Sequence, residues 1–400
     1  MFKILHIIVD LDPGGAEVML QRLLTRTDRA RFDSRVLSLT TAGVVAERIR
    51  ALGVAVESLG MRRGSANPLG LWRLIRFLRK ERPHLIQTWM YHADLLGGVA
   101  ARLAGNIPVV WGIHHTNLDP GQNKPGTLRI ARFNAFLSKR LPRRIVCCSH
   151  STREVHARAG YADDKMVVIP NGFDLSELRP DLAARQDVRR ELEVGDRAPL
   201  VGMVARFHPQ KDHANFLEAA KILHGRLPDV RFLLCGDGVT CENRALSDPI
   251  RQAGLADHAH LLGVREDVPR LLAALDVAVL SSVGEAFPLV LGEAMACGVP
   301  CVSTDVGDAA RIIGETGEVV PPRDPAALAA ALERVLNLEA GQRRELGMAA
   351  RRRIEENYSI ENTAGEYEEI YREILKIPRG RGPDSASSDG ATNSSPSIPA

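Results

Sequence analysis

Short runs of apolar, β-branched residues recur along the chain, and segments with apolar residues at helical spacing separate them. This alternation is typical of parallel sheets covered by helices on both faces. In the first half it predicts strands at 3–9, 34–39, 54–59, 85–89, 109–113, 145–148 and 167–169, with helices at 16–24, 69–80 and 95–103. In the second half it predicts strands at 200–205, 230–235, 260–262, 277–280, 300–304 and 318–320, with helices at 215–223 and 288–297. The sequence therefore predicts an α/β protein of two tandem, doubly wound, Rossmann-like parallel-sheet domains.

The domain boundary is expected just after IPNGFD at 169–174, because Pro, Asn and Gly favour a turn and a polar, Arg-rich stretch follows. A helical region with a heptad-like pattern is predicted at 325–354, and an amphipathic segment at 360–377. From residue 378 to 400 the chain is rich in Pro, Gly, Ser and Asn, which predicts a disordered tail.

Composition adds limits to this picture. The 400 residues leave room for two or three domains, and 45% hydrophobic with 25% charged residues is ordinary for a soluble globular protein. No apolar run is long enough for a membrane helix, and the N-terminus resembles a buried strand more than a signal peptide. The six cysteines form no C-x-x-C pair and lie mostly in apolar runs, which is typical of reduced, buried thiols. We therefore expect a cytoplasmic protein.

The net charge of +3 conceals an asymmetry between the two halves. Residues 1–180 contain 27 Lys and Arg against 15 Asp and Glu, a net of +12, whereas residues 181–400 contain 25 against 34, a net of −9. The halves are therefore expected to meet different partners.

The strongest chemical signal is SSVGEAFPLVLGEAMACGVPCVSTD at 281–305. A strand leads into a loop carrying Glu285, Pro288 suits the first position of a helix, and Glu293 lies about one and a half turns further on. Backbone N–H groups near Leu289 and Val290 would hold an anion such as a phosphate. In open α/β sheets ligands bind beyond the carboxyl ends of strands, so this segment is expected to face a site.

Two further strand ends carry candidate groups. In VGMVARFHPQKDHANFLEAA at 201–220, Arg206 and Lys211 follow a strand and would suit a diphosphate. In LDPGGAEVML, Gly14 and Gly15 allow close approach of backbone to a ligand, but the G-x-G-x-x-G fingerprint of dinucleotide folds is absent. That absence disfavours a nicotinamide dehydrogenase.

Together these segments resemble the family-4 retaining glycosyltransferases, whose GT-B fold places two Rossmann-like domains across a cleft. The resemblance covers roughly residues 1–376 and includes PGGAE, IPNGFD, ARFHPQKDH, LCGDG and GEAFPLVLGEAMACGVPCV. The last segment matches the family's Glu-x7-Glu signature with Glu285 and Glu293. We accordingly expect an N-terminal acceptor-side domain at 1–175, a nucleotide-sugar-binding domain at 176–357, and a C-terminal segment, 358–377, that crosses back to the first domain.

The resemblance implies a role for each matching residue. Glu285 would accept hydrogen bonds from the donor sugar, and Glu293 would hold the nucleotide ribose. Arg206 and Lys211 would neutralise the diphosphate, so that neither a metal nor another cofactor is expected. The remaining implied donor contacts are Gly14 and Gly15 over the diphosphate, the backbone of Val264 and Arg265 at the base, and Phe287, Leu289 and Val290 in the sugar-binding loop. Such enzymes also bring a histidine to the donor sugar, and here both His114 and His115 remain candidates.

The implied reaction is a transfer with retention through an oxocarbenium-like state, in which the departing diphosphate gathers negative charge. A side-chain nucleophile is not usual in the family, and the leaving phosphate could take the acceptor's proton. Uridine is favoured over guanosine as the base of the donor. Two alternatives remain: a nucleotide-sugar epimerase of the same architecture, and a non-catalytic sugar-nucleotide-binding protein.

The basic first half also suggests a partner. Arginines and lysines alternate with large apolar residues at 62–84, including Arg62, Arg63 and Trp72, and more basic residues follow at 129–144. Basic amphipathic segments bind anionic membrane surfaces, although an ordinary helix with arginines on its wet face fits the same pattern. A polyprenyl-diphosphate-linked or saccharide acceptor at the inner face of the membrane would match this charge, and we expect no nucleic-acid partner.

Overall fold

The computed structural model describes residues 1–62, 68–121 and 123–378. Its strands form two sheets in which every neighbouring pair is parallel. The first sheet has the order β3-β2-β1-β4-β5-β6-β7 and the second β10-β9-β8-β11-β12-β13. The strands are β1 (Phe2–Ile8), β2 (Phe32–Ser38), β3 (Ala55–Ser58), β4 (Leu85–Trp89), β5 (Val109–Ile113), β6 (Arg144–Cys147), β7 (Met166–Val168), β8 (Leu200–Val204), β9 (Arg231–Cys235), β10 (Ala259–Leu261), β11 (Val277–Leu280), β12 (Cys301–Thr304) and β13 (Gly317–Val320).

Helices connect the strands and cover both sheets. They are α1 (Gly15–Arg26), α2 (Val44–Ala51), α3 (Pro68–Glu81), α4 (Tyr91–Gly105), α5 (Pro125–Ser138), α6 (His150–Arg158), α7 (Leu182–Glu191), α8 (His213–Arg226), α9 (Arg244–Gln252), α10 (Val268–Ala273), α11 (Leu289–Ala296), α12 (Ala309–Ile313), α13 (Pro325–Leu336), α14 (Ala340–Asn357) and α15 (Ile360–Leu375). None of the described helices has both the length and the apolar character that a membrane span requires.

The two-domain α/β architecture is confirmed, and each predicted strand is present with its ends within two residues. The helical region predicted at 325–354 consists of two helices, because α13 ends before Asn337 and α14 begins after Glu339. The side chain of Glu339 accepts from the backbone of Gln342, whose side chain accepts in return, and this capping box starts a new helix. Of the predicted tail only Pro378 falls within the described residues, and 379–400 lies outside them.

Both sheets reverse their strand order at one point, between β1 and β4 in the first and between β8 and β11 in the second. Ligands of doubly wound sheets bind in the crevice that such a reversal opens beyond the strand ends. Gly14 follows β1, Arg206 follows β8, and Glu285 follows β11. Gly14, Arg206 and Glu285 therefore follow strands at the two switch points.

Two neighbouring chain segments join the sheets, and Phe173 lies where they meet. Its N–H donates to the Tyr358 carbonyl at 2.9 Å, and the Ile360 N–H donates to its own carbonyl at 3.0 Å. Helix α15 then packs on α1 and joins the core of the first sheet through Ile360 and Tyr367. The Phe173 ring is fully buried against the α-carbon of Gly292 in α11. The Phe173 ring therefore packs α11 of the second domain against the two segments that join the domains, which we call the joint.

We predict that Gly292→Ala destabilises the protein through this contact. A Cβ at residue 292 would lie 2.1–2.8 Å from three ring carbons of Phe173, closer than packed atoms tolerate. Overpacking of this kind costs about 1–3 kcal/mol, so the Tm in a thermal melt should fall by several degrees. Gly365→Ala is the matched control, because it places a methyl group in open space at an exposed position of α15. In the double variant Gly292→Ala/Phe173→Leu, the smaller side chain at residue 173 should leave room for the added methyl group. The loss of Tm caused by Gly292→Ala should therefore be smaller in the Phe173→Leu background than in the wild type, and an equal loss in both backgrounds would contradict the proposed clash.

Candidate active site

The loops after β8 and β11 meet through an ion pair. Lys211 Nζ lies 2.5 Å from Oε1 of Glu285, and the Ser282 hydroxyl donates to the same oxygen at 2.7 Å. Lys211 ends a short turn before α8, whose N-cap residue Asp212 adopts a left-handed conformation and accepts from the Asn215 N–H. Residues 74 positions apart in sequence are thereby held in one site.

Arg206 stands beside this pair with an exposed side chain, and within the described residues it has no ion-pair or hydrogen-bond partner. Burial, followed by the charges of Arg206 and Lys211, lowers the pKa of His208. Burial and Lys211 lower the pKa of His213 to about 4. The field at this strand end is therefore positive, although the second half of the chain is negative overall.

Two helix N-termini meet next to these cations. Pro288 is the N-cap of α11, so the prediction that it occupies the first helical position is wrong by one residue, and α11 begins at Leu289. Gly14 is the N-cap of α1, and neither helix has a side-chain cap. A Cβ at Gly15 would lie 3.8 Å from Cδ1 of Leu289, which places the two N-termini against each other. Their uncapped N–H groups and dipoles favour an anion between the domains.

Glu293 forms an ion pair with a residue that the sequence did not single out. Its Oε1 lies 2.6 Å from Nη2 of Arg22, which comes from α1 in the other domain. Arg22 also donates to the Gly172 carbonyl at 3.4 Å, and its guanidinium lies 5.6 Å from the centre of the Phe173 ring. Glu293 is thus held in the cleft with its second oxygen available to a ligand hydroxyl.

The two candidate histidines have different surroundings. His114 stacks on Trp89 with ring centres 4.9 Å apart. Both of its ring nitrogens are shielded from solvent and have no hydrogen-bond partner among the described residues. This burial lowers the pKa of His114 to about 4, so its imidazole is neutral at pH 7. His115 contacts Oδ1 of Asn123 through Nε2 at 3.0 Å.

His115 also lines a cavity of about 410 Å³ between the two domains. Asn117 and Asn123 border it from the first domain, and Gln210 and Arg323 from the second. A larger groove of about 720 Å³ lies along α13 and α14, but its lining includes several glutamates and none of these residues. The cavity at His115 is the better match for a donor or acceptor saccharide.

The remaining predicted positions have varied surroundings. Val264 is 70% exposed after β10, and Arg265 is paired with Asp267 at 2.8 Å and with Glu191 at 2.7 Å, which raises the pKa of Arg265. Phe287 is buried against Phe173 and Tyr358, so its side chain supports the loop from the protein interior. Val290 is half-buried at the start of α11. Among the described residues no group of three His, Cys, Asp or Glu side chains could hold a metal ion.

Comparison with known proteins identifies two family models. The model described as "Glycosyltransferase Family 4" matches residues 13–177, and the model described as "Glycosyl transferases group 1" matches residues 198–338. Together they span both domains and include every candidate residue described above.

Curated relatives and solved structures agree with these models. The chain is 29% identical to the glycosyltransferase EpsF of Bacillus subtilis over 76% of this chain and 79% of that protein. It is 31% identical to the UDP-Gal:alpha-D-GlcNAc-diphosphoundecaprenol alpha-1,3-galactosyltransferase of Escherichia coli, over 58% of this chain and 60% of that protein. The fold matches Anabaena HepE, solved in complex with UDP and glucose, with a TM-score of 0.81 at 23% identity over 93% of this chain and all of that one.

We predict that His114→Leu weakens the pH dependence of stability. The pKa of His114 is about 4 in the folded chain against 6.5 for the free side chain. Between these values the unfolded chain binds a proton that the folded chain does not, so stability falls as the pH falls from 6.5 towards 4. The difference in Tm between pH 7.5 and pH 5 should be smaller in His114→Leu than in the wild type, whereas the exposed control His84→Leu should retain the wild-type difference. Equal pH dependence in all three proteins would contradict the burial of His114.

Proposed function

The chain belongs to family 4 of the glycosyltransferases, and we propose that it transfers a sugar, with retention of configuration, from a nucleoside diphosphate sugar to a saccharide or lipid-linked acceptor. The observation that carries this proposal is the meeting of the N-termini of α1 and α11, the second of which follows the loop where Glu285 pairs with Lys211. Such a site suits a diphosphate, and Glu285 and Glu293 flank it as acceptors for sugar and ribose hydroxyls. We favour UDP as the carrier, in line with the UDP-Gal named for the E. coli relative.

The proposed chemistry follows from charge. As the bond between the anomeric carbon and the diphosphate oxygen breaks, its electron pair remains on the phosphate. Arg206, Lys211 and the two helix N-termini stabilise that charge where it develops, so the proposal needs no metal. The acceptor oxygen then bonds to the same face of the anomeric carbon, and its proton passes to the departing phosphate.

Glu285 is better suited to binding than to attack. Lys211 and Ser282 already engage one of its oxygens, which lowers its nucleophilicity and leaves the other to accept from a sugar hydroxyl. Of the two histidines we propose His115 as the donor-sugar contact, because it lines the cavity between the domains. His114 then supports it from the stack on Trp89.

An epimerase or a non-catalytic binding protein would take up the same donor without transferring the sugar. A panel of sugar nucleotides, offered with a lipid-diphosphate-linked saccharide and analysed by mass spectrometry, separates these functions. A glycosylated acceptor and free nucleoside diphosphate support the transferase. An altered sugar still attached to its nucleotide supports the epimerase, and binding without either product supports the binding protein.

We predict that Lys211→Ala and Glu285→Ala each lower the transfer rate by at least about tenfold, because each removes a preorganised charge from the leaving group or the donor sugar. Lys221→Ala, at an exposed position on α8, is the matched control and should retain wild-type turnover. Initial rates are compared at saturating donor, with melting curves to confirm folding. Near-wild-type turnover of either site variant would refute the assignment. In the same assay His115→Leu should lose more activity than His114→Leu.

We further propose that α3, α4 and α5, which pack side by side, form a face that meets an anionic membrane surface. Leu69, Trp72, Leu103, Phe133 and Phe136 are exposed on these helices. Arginines surround them: Arg76 lies 5.5 Å from the Trp72 ring, and Arg140, just beyond α5, lies 5.8 Å from the Phe136 ring. Arg63 of the predicted basic segment lies outside the described residues.

The location of this face supports a lipid-linked acceptor. Helix α5 begins two residues after Asn123, the partner of His115, so the face adjoins the proposed transfer site. The printed name of the E. coli relative specifies an acceptor on diphosphoundecaprenol. All six cysteines are free thiols, which fits our proposal of a cytoplasmic protein at the inner face of the membrane.

We predict that Arg76→Glu/Arg140→Glu lowers binding to phosphatidylglycerol vesicles by at least about tenfold, since each cation near an anionic surface contributes about 1 kcal/mol. Arg344→Glu/Arg352→Glu makes the same charge change on exposed positions of α14 and is the matched control. Co-sedimentation at low and high salt measures the effect, and high salt should release the wild type. Equal binding by both double variants, or equal binding to neutral vesicles, would remove the membrane from the proposal.

A further inference from the structure

Asp308 reaches from the second domain into the first. It follows β12, and its side chain is buried. One carboxylate oxygen accepts the His150 N–H at 2.8 Å, and the other accepts the Ser151 N–H at 2.9 Å. These are N–H groups in the first turn of α6, which no residue of the helix itself can satisfy. A carboxylate of one domain therefore caps a helix of the other.

The loop that carries Asp308 also supports the loop that carries Glu285, which we propose binds the donor sugar. The Asp308 N–H donates to the Ala286 carbonyl at 3.2 Å. Gly307, with φ +58°, passes so close to Glu285 that a Cβ would lie 2.5 Å from its carbonyl oxygen. The Ser151 hydroxyl donates to the Ala286 carbonyl at 3.4 Å. The loop carrying Glu285 thus rests on Gly307 and Asp308 from its own domain and on Ser151 from the other.

On the first-domain side, α6 is bonded to the segment that carries the candidate histidines. The Thr152 hydroxyl lies 2.6 Å from the hydroxyl of Thr116, the residue after His115. The Ser149 hydroxyl, the N-cap of α6, lies 2.7 Å from that of Thr152. A series of hydrogen bonds therefore runs from the Glu285 loop through Asp308 and the first turn of α6 to Thr116, the residue after His115.

We propose that Asp308 is a positioning residue that fixes the spacing between Glu285 and His115 across the cleft. The inference rests on the proposed transferase function, because only a transfer needs groups of both domains at one sugar. Of the groups assigned to the nucleotide, Arg206, Lys211 and Glu293 belong to the second domain and are not among the described contacts of Asp308. The N-terminus of α1, from the first domain, belongs to a helix that the ion pair of Arg22 with Glu293 holds to α11 independently of Asp308. Loss of Asp308 should therefore impair sugar transfer while nucleotide binding persists.

The kinetic test uses Asp308→Asn, which keeps the shape but presents an NH₂ group to one of the two N–H donors. Asp305→Asn, an exposed position in the same loop, is the matched control. We expect Asp308→Asn to lower kcat at least about tenfold, with the UDP Kd by calorimetry within about threefold of wild type. Hydrolysis of the donor per transfer should rise, because a loosened cleft admits water. A parallel loss of UDP affinity, or an unchanged kcat, would overturn the proposal.

A distance measurement tests the spacing without any substrate. Cys241 is exposed in the second domain, and Arg158→Cys supplies an exposed site at the end of α6. Electron–electron resonance between spin labels at these positions should give a broader or shifted distance distribution in Asp308→Asn and a wild-type distribution in Asp305→Asn. Identical distributions in both would overturn the positioning role. A changed distance in a chain that transfers no sugar from any donor would instead refute the proposed function.

Discussion

The structure depends first on the joint at Phe173. Two segments cross between the domains there, and their backbone hydrogen bonds make them a short parallel pair in place of two independent linkers. Because the Phe173 ring packs directly on Gly292, the joint also fixes the position of α11 relative to the first domain. The meeting of the α1 and α11 N-termini, and with it the anion site, follows from this packing.

Most of the fold could be predicted from the sequence because local patterns of apolar and polar residues determine its strands and helices. Strands buried on both faces give apolar runs that stand out against amphipathic helices, and β11 at 277–280 was predicted with its observed bounds. The break in the helical region at 325–354 was missed, although Asn337 at the end of α13 and Gly341 in the first turn of α14 accompany the capping box formed by Glu339 and Gln342.

The cleft residues of the second domain could be predicted more fully than those of the first. Glu285, Lys211 and Arg206 lie at strand ends within recognisable motifs, and strand order brings them together. Arg22 carries no such signal, because its role depends on how α1 faces Glu293 in the other domain. Asp308 lies shortly after the end of β12. Because ligands of open α/β sheets bind beyond the carboxyl ends of strands, its position alone could have marked it as a candidate. Its partner, the N-terminus of α6, depends on the packing between domains and is not visible in any single segment.

The charge difference between the halves acquires a second explanation from these contacts. Carboxylates of the acidic half repeatedly meet cations of the basic half: Glu293 with Arg22, Glu361 with Arg26, and Glu373 with Arg144. Asp308 meets the positive end of α6 in the same sense. Part of the +12 of the first half therefore serves to hold the second half rather than to attract a partner. The arginines on α3 and α5 remain exposed, and most lie far in sequence from these acidic partners. These exposed arginines are the part of the first-half charge that the proposed membrane face presents.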